Sequence, residues 1–129
     1  MNHSANINHD AVLRARVSLL GSGKPTVRQR VAAYRVLVQV SPLAYLSRLA
    51  VDLIKYSREF ADRPEIARAL RAESVDAARR LCELESGRQQ LLVTSLTALR
   101  DQLVLMDRKE EAAAVAGEIA LLQSASPEA

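Results

Sequence analysis

Few residues in this 129-residue chain are of types that do chemistry, and most stand without the partners that chemistry requires. Gly21-Ser22-Gly23-Lys24 invites a phosphate-binding loop, in which backbone N–H groups cradle a polyphosphate and the lysine meets its outer charge. Such a loop needs a glycine at position 18 and a hydroxyl at position 25, where Ser18 and Pro25 stand instead. The preceding segment reads as helix, not strand, so these four residues are a helix connector. His3 and His9 have no further ligand or rigid partner at a fixed spacing, so neither a metal site nor a catalytic base is drawn from them. Cys82 follows the core residue Leu81 with no histidine nearby to activate it, and is read as a buried structural thiol. Glu83/Glu85 and Glu110/Glu111 sit near helix ends, and the second pair favours the dipole of a helix beginning there. No catalytic, cofactor-binding or metal-ligating residue is assigned.

The arginines are a different matter. Up to Arg58 the chain carries nine basic residues against only Asp10 and Asp52, a net +7; the remainder carries nine against thirteen, a net −4. Arg14, Arg16, Arg28, Arg30 and Arg35, with Arg48 further on, are candidates for a cationic patch that would meet an acidic partner, nucleic acid included. Readers of nucleic acid usually add a recognition helix or stacking aromatics. The only tyrosines are Tyr34, Tyr45 and Tyr56, and two of them fall at apolar positions, which favours core packing. A basic front and an acidic rear can equally attract each other, within one chain or between copies.

Positioning these groups falls to helices. Ala, Leu, Arg and Glu dominate, aromatics make up 3%, and alternating β-branched runs are nearly absent. The 49% apolar content and the length fit one domain with a sizeable core. No window approaches the roughly 20 apolar residues of a membrane span. A lone cysteine rules out an internal disulfide scaffold, and no secretory signal is visible, so the expected compartment is the cytoplasm.

Residues 1–9 read as a lead, 10–123 as a single helical domain and 124–129 as a polar tail. Asp10 is expected to cap a first helix whose apolar residues are Val12, Leu13, Val17, Leu19 and Leu20. Thr26 is expected to cap a second, through Val27, Val31, Tyr34 and Val38. Tyr34, Val36, Val38 and Val40 alternate as in a strand, but with no second strand to pair they are assigned to helix. Pro42 opens a third helix with core positions Leu46, Leu49, Leu53, Tyr56 and Phe60. Pro64 opens a fourth that buries Ile66, Leu70, Ala77, Leu81 and Leu84. The fifth buries Leu92, Leu96, Leu99, Leu103 and Met106, and the sixth Ala112, Val115, Ile119 and Leu122.

The third and fifth helices repeat. Leu49, Leu53, Tyr56 and Phe60 fall on Leu92, Leu96, Leu99 and Leu103 at an offset of 43, and Tyr34–Leu37 falls on Ala78–Leu81 when one loop residue is dropped. Such a period in a helical chain means stacked helix hairpins, because one hairpin cannot cover its own apolar face. The stretch from Leu92 through Asp107-Arg108-Lys109-Glu110-Glu111-Ala112 resembles a tetratricopeptide-type repeat of the long-period actinobacterial kind, and 34–46 is similar to the link between two such repeats. The resemblance covers about 30–122 and implies an all-α fold of about six antiparallel helices, stacked as three hairpins with a right-handed twist. Family members carry a small residue after the leucine represented by Tyr56 and Leu99; Ser57 fits and Arg100 does not. The asparagines that hold an extended peptide in many relatives are replaced by Ile54-Lys55 and Thr97-Ala98, so that mode of clamping is not implied here.

The expected function is therefore non-catalytic: a small adaptor or accessory subunit that binds another protein, with self-association through Leu91, Leu105 and Leu121. Partner contacts are expected at Arg48, Asp52, Lys55 and Glu59 of the third helix and at Ser95, Arg100 and Gln102 of the fifth, all taken as solvent-facing. The alternatives are a basic nucleic-acid-associated regulator and a helical accessory protein that binds a small ligand. No cofactor and no membrane contact are expected.

Overall fold

A computed structural model describes residues 8–21 and 23–125. His3, Ser22 and most of the expected lead and tail lie outside the described residues. Among those described are six α-helices and no strand: α1 (His9–Leu20), α2 (Val27–Leu37), α3 (Pro42–Ser57), α4 (Pro64–Leu84), α5 (Gln89–Leu105) and α6 (Lys109–Ala125). A 3-10 turn, Arg58–Phe60, extends α3.

Local chemistry sets the ends. Asn8, not Asp10, caps α1, its side-chain oxygen accepting from the N–H groups of Asp10 (2.9 Å) and Ala11 (3.1 Å). Thr26 closes a capping box with Gln29: its hydroxyl accepts from Gln29 N–H (3.1 Å), and its own N–H donates to Gln29 Oε1 (2.8 Å). Pro42 and Pro64 occupy first-turn positions, where a missing N–H costs nothing. The alternation at 34–40 comes from a helix that stops at Leu37, followed by a turn in which Val38 is buried and Val40 exposed. α5 ends in a Schellman turn, with Arg108 N–H donating to Leu103 O (2.9 Å) and Asp107 N–H to Val104 O (3.0 Å), which puts Asp107 at φ 58°. α6 runs on through Ser124 to Ala125, past the expected start of the tail.

Each helix packs on its neighbours in sequence, and α3 also touches α5. Short connections reverse the chain each time, giving antiparallel hairpins α1–α2, α3–α4 and α5–α6. One core cluster centres on Val31, Leu46, Leu49, Leu53 and Leu81, another on Val75, Leu92, Leu96 and Ile119, and a third joins Val12 and Ala15 of α1 to Ala33 and Leu37 of α2. The apolar residues of α1 divide: Val12 is buried, whereas Leu13, Val17 and Leu20 are 61%, 58% and 85% exposed. α1 meets only α2, so one narrow face suffices and the remaining apolar residues are left outside. Ile66 and Leu84 of α4 likewise face outward, while Ala67, Ser74, Val75 and Ala78 fill the closer contacts.

The polar contacts repeat along with the apolar ones. Arg35 of α2 makes a bidentate pair with Glu73 of α4 (2.9 and 2.6 Å). Arg79 of α4 does the same with Glu118 of α6. Arg79 stands 44 residues after Arg35 and Glu118 45 after Glu73, so the second helices of successive hairpins are tied by like pairs at nearly the same spacing. Where α2 meets α3, Arg30 pairs with Asp52. Where α4 meets α5, Ser74 pairs with Ser95. These are again matching positions, 44 and 43 residues apart. One interhelical slot is filled by an ion pair in the first half and by two hydroxyls in the second.

Candidate functional site

Three of the expected partner-contact residues are buried, which corrects their assignment. Asp52 is turned into the α2–α3 contact, where its carboxylate accepts from Arg30 Nε (2.9 Å) and Nη2 (3.3 Å). Ser95 is fully buried, with its Oγ 2.9 Å from that of Ser74. Gln102 is buried at the end of α5, where its amide lies 3.4 Å from the carbonyl of Pro64. Polarity alone placed all three outward, but small or paired polar side chains fit where helices approach closely and find partners there. Lys55 and Glu59 are exposed, Arg100 is half-exposed beside Asp101 (3.0 Å), and Lys55 reaches Asp52 at 3.9 Å.

The basic residues do not gather into one patch. Arg35 is consumed by Glu73, whose hydrogen bond raises the pKa of the guanidinium, and Arg30 is held charged in the same way by Asp52. Arg14 lines a shallow groove between α1 and α2 with Gln29 and Ala33, while Arg16 lies on the opposite flank of α1. Arg28 is exposed and forms no ion pair among the described residues. What the fold does bring together is Arg16, Arg30 and Arg48, around an open cavity of about 460 Å³ between α1, α2 and α3. Its apolar walls include Leu19 and Pro25, and Tyr34 and Tyr45 line it with ring centroids 5.8 Å apart. The Arg48 guanidinium lies 5.7 Å from the centre of the Tyr45 ring.

A second polar constellation had no signal in the sequence. Arg71 of α4 donates from Nε to Ser57 Oγ (2.9 Å) and from Nη1 to the carbonyl of Ala98 (2.8 Å), bridging α3 and α5. The Ser57 hydroxyl in turn donates to Ile54 O, 2.6 Å away. Burial and the nearby Arg58 lower the Arg71 pKa, since no acid is paired with it. Its bonds end on a hydroxyl and a carbonyl of neighbouring helices, so it is a clamp between them. It borders a cavity of about 430 Å³ with Arg58, Pro64 and Gln102.

Cys82 packs half-buried against the second core cluster, and burial pushes its thiol above the ordinary range, against the thiolate a nucleophile needs. Glu110 and Glu111 lie in the first turn of α6. Glu111 accepts from Arg108 Nε at 2.7 Å. Among the described residues, no three His, Cys, Asp or Glu side chains stand close enough to share a metal ion. No helix of these residues is long and apolar enough to cross a membrane.

Each end of the stack leaves apolar side chains exposed among polar ones. Leu13, Val17 and Leu20 form an outward stripe on α1 at helical spacing. On α6 the exposed positions include Ala113, Ala114, Gly117, Ala120 and Leu121. Leu105 and Leu121 are 79% and 70% exposed, whereas Leu91 is packed between two core clusters, which removes it from the expected association surface. No protein-family model, curated protein or solved structure matches this chain.

Proposed function

We propose that this chain is a non-catalytic protein–protein interaction module, a tetratricopeptide-like stack of three hairpins serving as a small adaptor or accessory subunit in the cytoplasm. The observation that carries this reading is the apolar stripe of Leu13, Val17 and Leu20 at the open end of the stack. Stacked-repeat proteins need polar outer faces on their terminal units, and apolar surface left at an end favours a partner. The repeated Arg–Glu ties between second helices support the repeat character, because they recur within one or two residues of the apolar offset. The lone, unactivated Cys82 fits a reducing compartment. A second copy of the chain is one admissible partner, given the opposite charges of the two halves.

Nucleic acid is the weaker reading, because Arg30 and Arg35 are already neutralised by Asp52 and Glu73. The test is a pull-down with the tagged chain from native lysate, treated with nuclease and washed at rising salt. A protein retained in stoichiometric amount through about 0.5 M salt is the expected result, since apolar contacts are not screened. Recovery of nucleic acid alone, released as salt rises, would overturn the proposal.

A further inference from the structure

The cleft between α1, α2 and α3 contains groups that helix packing leaves unused. Arg30 is not among them. Its Nε and Nη2 go to Asp52 and its Nη1 to the Pro25 carbonyl (3.0 Å), so it is a fixed part of the wall with its charge balanced. Arg16 and Arg48 differ: both are exposed at the cavity, and neither forms an ion pair among the described residues. Two uncompensated guanidinium groups therefore stand at one opening.

Tyr34 supplies an independent observation. It is only 7% exposed, yet it lines the cavity, and its hydroxyl makes no hydrogen bond among the described residues. The hydroxyl is not sealed from solvent, and with no partner among the described residues it is free to bond water or a ligand. Core packing explains the Tyr34 ring, which lies in the first core cluster, and leaves the hydroxyl to the solvent side. The cavity volume falls within the range of small-molecule sites, and its mixture of apolar wall and a few polar groups is what such sites share.

We propose that this cleft binds a small organic anion, a carboxylate or phosphate ester carried on a planar apolar ring. The ring lies against Leu19, Pro25 and Tyr45, the anionic group meets Arg16 and Arg48, and the Tyr34 hydroxyl bonds a polar edge. Guanidinium groups suit both anions because their paired N–H donors match two oxygens at once.

The test uses the full chain and three probes of similar size: benzoate, phenyl phosphate and the neutral benzyl alcohol. Binding is followed by 1H–15N NMR, including the arginine Nε signals, with affinities from titration at low ionic strength. The expected result is saturable shifts confined to the cleft, with at least one anion binding about tenfold or more tighter than the alcohol. Arg48→Gln and Arg16→Gln, both at exposed positions, should each weaken that anion about fivefold or more while leaving the spectrum otherwise unchanged. Tyr34→Phe should weaken it about threefold or more. The better of benzoate and phenyl phosphate identifies the headgroup. Equal binding of the neutral alcohol, shifts spread over all surface arginines, or wild-type affinity in both arginine variants would overturn the proposal. The cleft shares Leu20 with the proposed partner stripe, and the two proposals fail separately because the arginine variants leave Leu13 and Val17 unchanged.

Discussion

The Ser74–Ser95 contact offers a stability experiment whose outcome can be worked from geometry. Ser74 Oγ lies 2.7 Å from the carbonyl of Ala50 and 2.9 Å from Ser95 Oγ, and both serines are fully buried. A hydroxyl has one proton, and that of Ser74 goes to the Ala50 carbonyl oxygen, which can only accept. Ser95 must then donate to Ser74, so a single direction of hydrogen bonding runs from α5 through α4 to α3. Ser74→Ala removes the acceptor on which Ser95 depends and leaves a donor in a dry contact, a loss of about 1–3 kcal/mol. Ser95→Ala leaves the Ser74–Ala50 bond in place and costs about 0.5–1.5 kcal/mol. Better helix propensity returns up to about 0.5 kcal/mol for each alanine. In the double variant no orphaned donor exists, so its cost should fall short of the sum of the singles by about 1 kcal/mol. Urea unfolding followed by far-UV circular dichroism gives all four values, with the denaturant slope unchanged if the fold is intact. Losses that add to within about 0.3 kcal/mol would refute the coupling of the two hydroxyls, and a larger loss for Ser95→Ala than for Ser74→Ala would refute the direction assigned to the bonds.

Asp107 holds the left-handed position after α5 that glycine occupies without strain, so Asp107→Gly should stabilise by about 0.5–1 kcal/mol and raise the melting temperature by roughly 2–5 °C. Its exposed 3.7 Å pair with Lys109 is too weak to offset that gain. Glu118 is held below the ordinary carboxylate range by its hydrogen bond to Arg79; the stability it contributes is present above the unfolded pKa and is lost as pH falls through the folded one. Thermal melts from about pH 6 to about pH 3 should show Glu118→Gln closing its deficit against the wild type, by roughly 0.5 kcal/mol at this partly exposed site. Cys82, pushed toward the thiol form by burial, should react with iodoacetamide at neutral pH about tenfold or more slowly in the native protein than in urea, as read by mass spectrometry.

Much of the architecture was legible because helix signals are local. Thr26, Pro42, Pro64 and the leucine stripes of α3 and α5 mark their elements through caps and spacing, and the offset of 43 announces stacking. Which face of a helix is buried is not local. Asp52 and Ser95 occupy the same place in the repeat and were both assigned outward, because a polar residue is read as solvated until its partner is known. Their partners, Arg30 and Ser74, lie 22 and 21 residues away in sequence on the preceding helix. On α1 the apolar residues Leu13 and Val17 name no face by themselves, and they lie outside because α1 packs along its length on one neighbour. The cleft went unseen for a similar reason: Arg16, Tyr34 and Arg48 come from three helices, and no spacing rule connects them.

The most direct test of the interaction proposal compares the wild-type chain with Leu13→Ser/Val17→Ser in the nuclease-treated, high-salt pull-down. Both side chains are solvent-facing, so the variant should keep its helical circular dichroism and melting temperature within about 2 °C. The proposal requires a stoichiometric protein partner on the wild type, a second copy included, and its loss from the variant. A variant that folds and retains the same partner in the same amount would contradict it.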